Sequence, residues 1–202
     1  CMDCHDFHSA KVRMPGNWMC LTCHAVGTTN AIQIDPVAHS FHSETNSGNL
    51  CTGCHMPQTP YMQRHWRHDH GFTIPDPVLT KEFGIPNACN RCHQDKSTDW
   101  AIEYVEKWYG DKMDRPYRQR ARVIARAKQG DESAVEPLLH MLATDEIPYW
   151  RAVSAGMLGP WLYQPRVIGG LLGQMTNTNA LVRVNVVRTL APLVDQNNRA
   201  VH

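Results

Sequence analysis

The stretch CNRCHQDKSTDW, residues 89–100, joins two differently written halves of the chain. On its left a cysteine pair is followed directly by a histidine. The same C-x-x-C-H pattern occurs three times before it, as CMDCH at Cys1 to His5, CLTCH at Cys20 to His24 and CTGCH at Cys51 to His55. All eight cysteines of the 202 residues lie in these four motifs, and ten of the twelve histidines precede residue 94. On its right, Trp100, Ile102, Val105 and Trp108 recur with helical spacing behind Ser97, Thr98 and Asp99, any of which can cap a helix.

The spacing has a chemical reason. Two thiols three positions apart reach the two vinyl groups of one porphyrin, and the next imidazole coordinates the iron from one face. Two other readings compete: four C-x-x-C pairs can form two Cys4 zinc sites, and a single pair can be a thioredoxin-like redox centre. Zinc sites have no need of a histidine behind every second cysteine, and no βαβ pattern surrounds the pairs. The motifs therefore assign Cys1, Cys4, His5, Cys20, Cys23, His24, Cys51, Cys54, His55, Cys89, Cys92 and His93 to four covalently bound haem c groups, with the four histidines as proximal ligands. Successive motifs start 19, 31 and 38 residues apart, too close for four separate haem domains. The segments GTTN, SETNSGN, MPQTP and TIPDP predict loops and short helices wrapped on porphyrins that stand in for a hydrophobic core.

Ligation on the far face separates electron transfer from catalysis, because an iron with both axial positions filled does not readily bind substrate. Eight histidines remain: His8, His39, His42, His65, His68, His70, His140 and His202. Six lie in the haem segment, two more than four bis-histidine haems need. His8 is too close to His5 to reach the other face of the same haem and suits a neighbouring one. His39 and His42 stand i, i+3, so on one helical turn they point the same way, at one iron or at two. His65 and His68 alternate with Arg and Trp as solvated residues do, and Met56, next to a proximal histidine, reads as packing against the ring.

Residues 39–109 resemble a family, the multihaem cytochromes c related to cytochrome c3 and to the doubled C-x-x-C-H groups, which carry helical repeats behind the haem domain. The resemblance rests on HSFHSETNSGNLCTGCHMPQTPYM, then DHGFTIPDP, then IPNACNRCHQDKSTDW, in that order. It implies that His39, His42 and His70 are distal ligands. His8 then completes the set of iron ligands His5, His24, His55, His93, His8, His39, His42 and His70, at a spacing similar to the family's C-H-x-x-H.

Beyond STDW, helices are expected at about 116–129, 131–143, 148–160, 165–175 and 179–194. Arg151, Leu158 and Pro160 recur 32 residues later as Arg183, Leu190 and Pro192, and Leu138-Leu139 recur after 33 as Leu171-Leu172. Such a period with paired helices predicts short HEAT-like repeats. The expected fold is mainly α: a loop-rich tetrahaem cytochrome c domain at 1–96, then an α-solenoid at 97–202 that either shields the haems or docks a partner. RPYRQRARVIARAKQ is basic on one face, as a solvated helix is, or as one meeting haem propionates or an acidic partner.

A formal charge of +1 gives no electrostatic footprint for nucleic acid, and no 18-residue apolar run is present. The start on Cys1 without Met reads as a mature or trimmed product. The expected function is electron transfer along closely spaced bis-histidine haems, with redox proteins or extracellular electron acceptors as partners. The alternative is a multihaem oxidoreductase acting on a small nitrogen or sulfur species through one open haem site, although the C-x-x-C-K often found there is absent. The resemblance places the protein in the periplasm or outside the cell. It also allows a homopolymeric filament, in which His202 or a spare histidine would ligate a haem of the next subunit.

Overall fold

Proline and short polar side chains decide where the helices start. Pro36, Pro77, Pro116, Pro148 and Pro165 each stand in the first turn of a helix, where a fixed φ helps and the missing N–H costs nothing. Asp35, Asp76 and Ser97 precede helices as caps, accepting hydrogen bonds from the N–H groups of Ala38, Val78 and Trp100. The computed structural model describes residues 1–28 and 30–199. It is mainly helical and divides into one unit spanning Cys1–Met113 and another from Asp114 onward.

In the first unit, α1 (Trp18–His24), α3 (Cys51–His55) and α5 (Cys89–Cys92) carry three of the cysteine pairs, and α2 (Pro36–Ser40) carries His39. The first motif lies in turns closed by an antiparallel bridge between His5 and Val12. The helices α4 (Pro77–Phe83) and α6 (Thr98–Tyr109) pack on each other, so α6, whose periodicity groups it with the later helices, lies in the first unit. Strands β1 (Gln58–Tyr61) and β2 (His65–His68) form an antiparallel hairpin through Met62 and Gln63, both left-handed at φ 49° and 60°. Sequence reading expects only loops and short helices here. Every residue of both strands is exposed, so no alternation of apolar and polar side chains announces them.

The first unit is ordered with almost no core of its own. Before Thr98 the buried apolar side chains among the described residues are Met56, Pro77 and Leu79, whereas Phe7, Trp18, Phe41, Trp66 and Phe72 are half or more exposed. Its buried polar residues tie the motifs together instead. Asn17 donates to the Asn49 carbonyl at 2.8 Å and accepts from the Cys51 N–H at 2.8 Å, linking the second motif to the third. Asn87 of the Pro-Asn-Ala-Cys run donates to Thr80 and Asn90 and accepts from the Asn90 N–H, fixing the start of the fourth.

In the second unit, α7 (Pro116–Lys128), α9 (Pro148–Met157) and α11 (Ala180–Arg199) start at intervals of 32 residues and alternate with α8 (Val135–Thr144) and α10 (Pro165–Leu172). α9 packs on α7, α8 and α11, and α10 packs on α8 and α11. Val135, Leu138, Leu158, Val167, Leu171, Val182 and Val186 are fully buried between them. Gly170 lets α10 press on α8, because a Cβ there would collide with the Leu139 side chain.

One arginine per interval reaches into a turn. Arg120 makes a forked ion pair with Asp145 at 2.7 and 2.9 Å. Arg151 donates to the Leu142 carbonyl and to Gln174, and Arg183 to the carbonyls of Asn177 and Thr178. The sequence repeat pairs Arg151 with Arg183, and Arg120 takes the same place one interval earlier. Asp145 also accepts from the Ile147 N–H at the start of α9. Burial opposes its charge, but the Arg120 hydrogen bonds, that N–H and the nearby guanidinium charges outweigh it and hold its carboxyl below the usual range.

Candidate functional site

Each motif histidine is held by the backbone beside it. His5 donates from Nδ1 to the Ala10 carbonyl at 2.9 Å across a turn in which Ala10 is left-handed at φ 56°. His24 donates to the Ile32 carbonyl at 2.8 Å and His55 to the Thr73 carbonyl at 2.9 Å. A carbonyl can only accept, so these bonds place the proton on Nδ1 and leave Nε2 with a free lone pair, the tautomer that second-shell partners impose on metal-ligating histidines. His42 and His70 are set the same way, by the carbonyls of Ser40 at 2.6 Å and His68 at 2.9 Å.

Three imidazole pairs face each other. The ring centroids of His5 and His70 lie 6.2 Å apart, those of His39 and His55 6.0 Å, and those of His42 and His93 6.3 Å. A metal–imidazole nitrogen bond is about 2.0 Å and the ring centre lies about 1.1 Å behind that nitrogen, so imidazoles on opposite sides of one iron stand about 6.2 Å apart. Each pair joins a motif histidine to one outside the motifs, and the spacing fits an iron between them. His39 and His42, on one turn, face different motif histidines. Burial, followed by the charges of His55 and Lys112, holds His39 below the usual imidazole range, in the neutral state that coordinates metal.

The other histidines are placed differently. His8 stacks on Phe7 at 3.9 Å, and among the described residues no ring pair joins it to His24. Across the hairpin from Gln58, His68 engages Gln58 through Nε2 at 3.1 Å and the Met56 carbonyl through Nδ1 at 2.6 Å, so both nitrogens are taken. His65 is exposed on β2, His140 lies on α8 in the second unit, and His202 is outside the described residues. Met56 is buried, 7% exposed, directly behind His55.

Thiols of different motifs approach one another. Cys20 and Cys51 are hydrogen-bonded together, and burial, with the nearby Cys51 and Cys4, pushes the Cys20 thiol up to about 11. Burial likewise raises the thiols of Cys51, Cys54 and Cys89, and Cys54 lies within electrostatic reach of Cys89 and Cys92. Among the described residues, no three or more His, Cys, Asp or Glu side chains are grouped to hold a metal ion, so the cysteines do not assemble the Cys4 zinc sites weighed against haem.

Sequence reasoning missed two neighbours of the paired rings. The ring of His42 lies over Gly48, where a Cβ would overlap its Cδ2, and the Ser47-Gly48 dipeptide was the only signal for it. We expect Gly48→Ala to push the His42 ring aside and alter the electronic spectrum of one haem in the holoprotein while the others keep theirs. Behind the same rings runs an aromatic stripe on α6. Trp100 lies 4.8 Å from His93, Tyr104 4.7 Å from Trp100, and Trp108 5.4 Å from Tyr104 and 6.2 Å from His42.

No known protein family and no curated protein matches the chain. Among solved structures, the crystal structure of the outer cell wall cytochrome OcwA is similar over 92% of this chain and 37% of that one, with 16% identity and a TM-score of 0.40. The chain thus spans less than two-fifths of that structure's length. No helix among the described residues is long and apolar enough to cross a membrane.

Proposed function

We propose that the chain is an electron-transfer protein, a tetrahaem c-type cytochrome. The observation that carries this reading is the spacing of the three imidazole pairs, which fits His5 with His70, His55 with His39, and His93 with His42 across three irons. Haem iron supplies one-electron exchange between its ferric and ferrous states. The chain's own residues provide the rest: eight cysteines for covalent attachment, neutral imidazoles oriented by backbone carbonyls, and exposed apolar side chains such as Trp18 and Phe41 to cover porphyrin faces. His24 and His8 serve the remaining haem.

The thiol contacts support a path in chain order. Cys4 lies near Cys20, Cys20 touches Cys51, and Cys54 lies near Cys89, so each attachment point neighbours the next. Covalent attachment of this kind implies export to the periplasm or beyond. The helices from α7 onward, with a 32-residue interval and an arginine in each turn, are read as HEAT-like repeats that shield the haems or dock a redox partner. Polymerisation into a filament is the most extended form of this reading, to be sought by electron microscopy of native material.

Carbon monoxide tests the ligation. Added to the ferrous holoprotein, whose mass should exceed the chain's by four haems, it is expected to leave the spectrum unchanged. A shift confined to one haem would identify an open site at His24 and favour the oxidoreductase alternative. A shift at several haems would overturn the bis-histidine assignment.

A further inference from the structure

His39 and His42 belong to one short segment yet face two different motif histidines, and consecutive residues at the end of α6 hold that segment. Tyr109 donates from its hydroxyl to the His39 carbonyl at 2.6 Å, and its ring lies 5.7 Å from the His39 imidazole. Phe41, between the two histidines, takes the left-handed conformation at φ 57°, lies flat on Trp108 at 4.7 Å and 6°, and meets Tyr109 edge-on at 6.0 Å. The His42 ring stands edge-on to Trp108 at 6.2 Å and lies over Gly48.

The hydroxyl answers a specific need. The last carbonyls of a helix have no partner within it, and α2 is only five residues long. Val37 O accepts from the Phe41 N–H at the C-terminal turn, and the His39 carbonyl is satisfied from outside by Tyr109. A non-glycine residue with positive φ persists only where its surroundings fix it, and the two rings of α6 fix Phe41. Burial pushes the Tyr109 hydroxyl up to about 12, so it remains a donor at neutral pH.

We propose that Tyr109 is a positioning residue for two axial ligands at once. Through the His39 carbonyl and Phe41 it sets the orientation of both His39 and His42, so the imidazole planes of the His39–His55 and His42–His93 pairs are fixed together. This inference rests on the bis-histidine reading of those pairs.

Electron paramagnetic resonance of the oxidised holoprotein separates the two claims, because the low-spin ferric signal depends on the angle between the axial imidazole planes. The unsubstituted protein tests the underlying reading: without low-spin bis-histidine signals, that reading fails before any substitution is made. With those signals present, Tyr109→Phe, which keeps the ring and its packing and deletes only the hydroxyl, is expected to shift two of them and two midpoint potentials in a redox titration. Gly48→Ala, which touches only His42, is expected to shift one. If Tyr109→Phe leaves every signal in place, or moves one alone, the proposal is overturned.

Discussion

Produced without haem attachment, the chain is expected to keep its helices from Pro116 onward and to lose the order of residues 1–96. The expectation follows from where apolar surface is buried. Before Thr98 the chain buries Met56, Pro77 and Leu79, whereas the later helices enclose more than a dozen apolar side chains. Burying a Leu or Val contributes about 1.5–3 kcal/mol, and ordering each backbone residue costs roughly 1–2 kcal/mol, so a segment of this length with three buried apolar side chains is not self-supporting. Hydrogen exchange of the haem-free chain should show rapid exchange through Cys51–His55 and Cys89–Cys92, with protection retained around Leu138, Leu158 and Leu171. Native-like protection in the motif helices would show that porphyrin is not what completes the first unit.

Asp145→Ala is expected to destabilise the second unit by about 3–5 kcal/mol, because it leaves the Arg120 guanidinium, 16% exposed, without its carboxylate. Replacing both partners by leucine should cost much less, since no unpaired charge is then left behind. The sign with pH follows from the lowered carboxyl. A group whose folded pKa lies below its unfolded value stabilises fully above the unfolded value, here 3.8, and loses that contribution as pH falls through the folded one. Denaturant titrations followed by helical circular dichroism should therefore show the difference between parent and Asp145→Ala shrinking below about pH 4. A difference that persists unchanged at lower pH would mean that the carboxylate charge is not what is lost.

These cases mark what was legible in the sequence. The spacing of the motif cysteines pointed to attachment chemistry because covalent geometry is local. The helices from 116 onward were legible because burial on one face imposes a 3.6-residue period, with ends displaced by a few residues where 3-10 turns begin or finish the helix, as at Glu132–Ala134 and Gly159–Trp161. Which ring faces which was not legible. His42 meets His93 across a stretch containing a helix, a hairpin and several turns, and no periodicity reports such a contact. Arg120 escaped the repeat because its neighbours differ, although Pro116-Tyr117 and Pro148-Tyr149 share its interval. Gly48 and Tyr109 act through a missing Cβ and one hydroxyl, which leave no trace in composition.

The three imidazole pairs also have a topological meaning. With iron between each pair, the ligands become cross-links that close loops of the chain, one from residue 5 to 70, one from 39 to 55 and one from 42 to 93. The second loop is nested inside the first, and the third straddles the end of both. Loop closure restricts an unfolded chain as a disulfide does, and interlocked closures leave it fewer ways to open than separate ones would. Releasing the single ligand His42 would leave residues 71–93 free of any closed loop, so the fourth motif is the place from which this network would come undone.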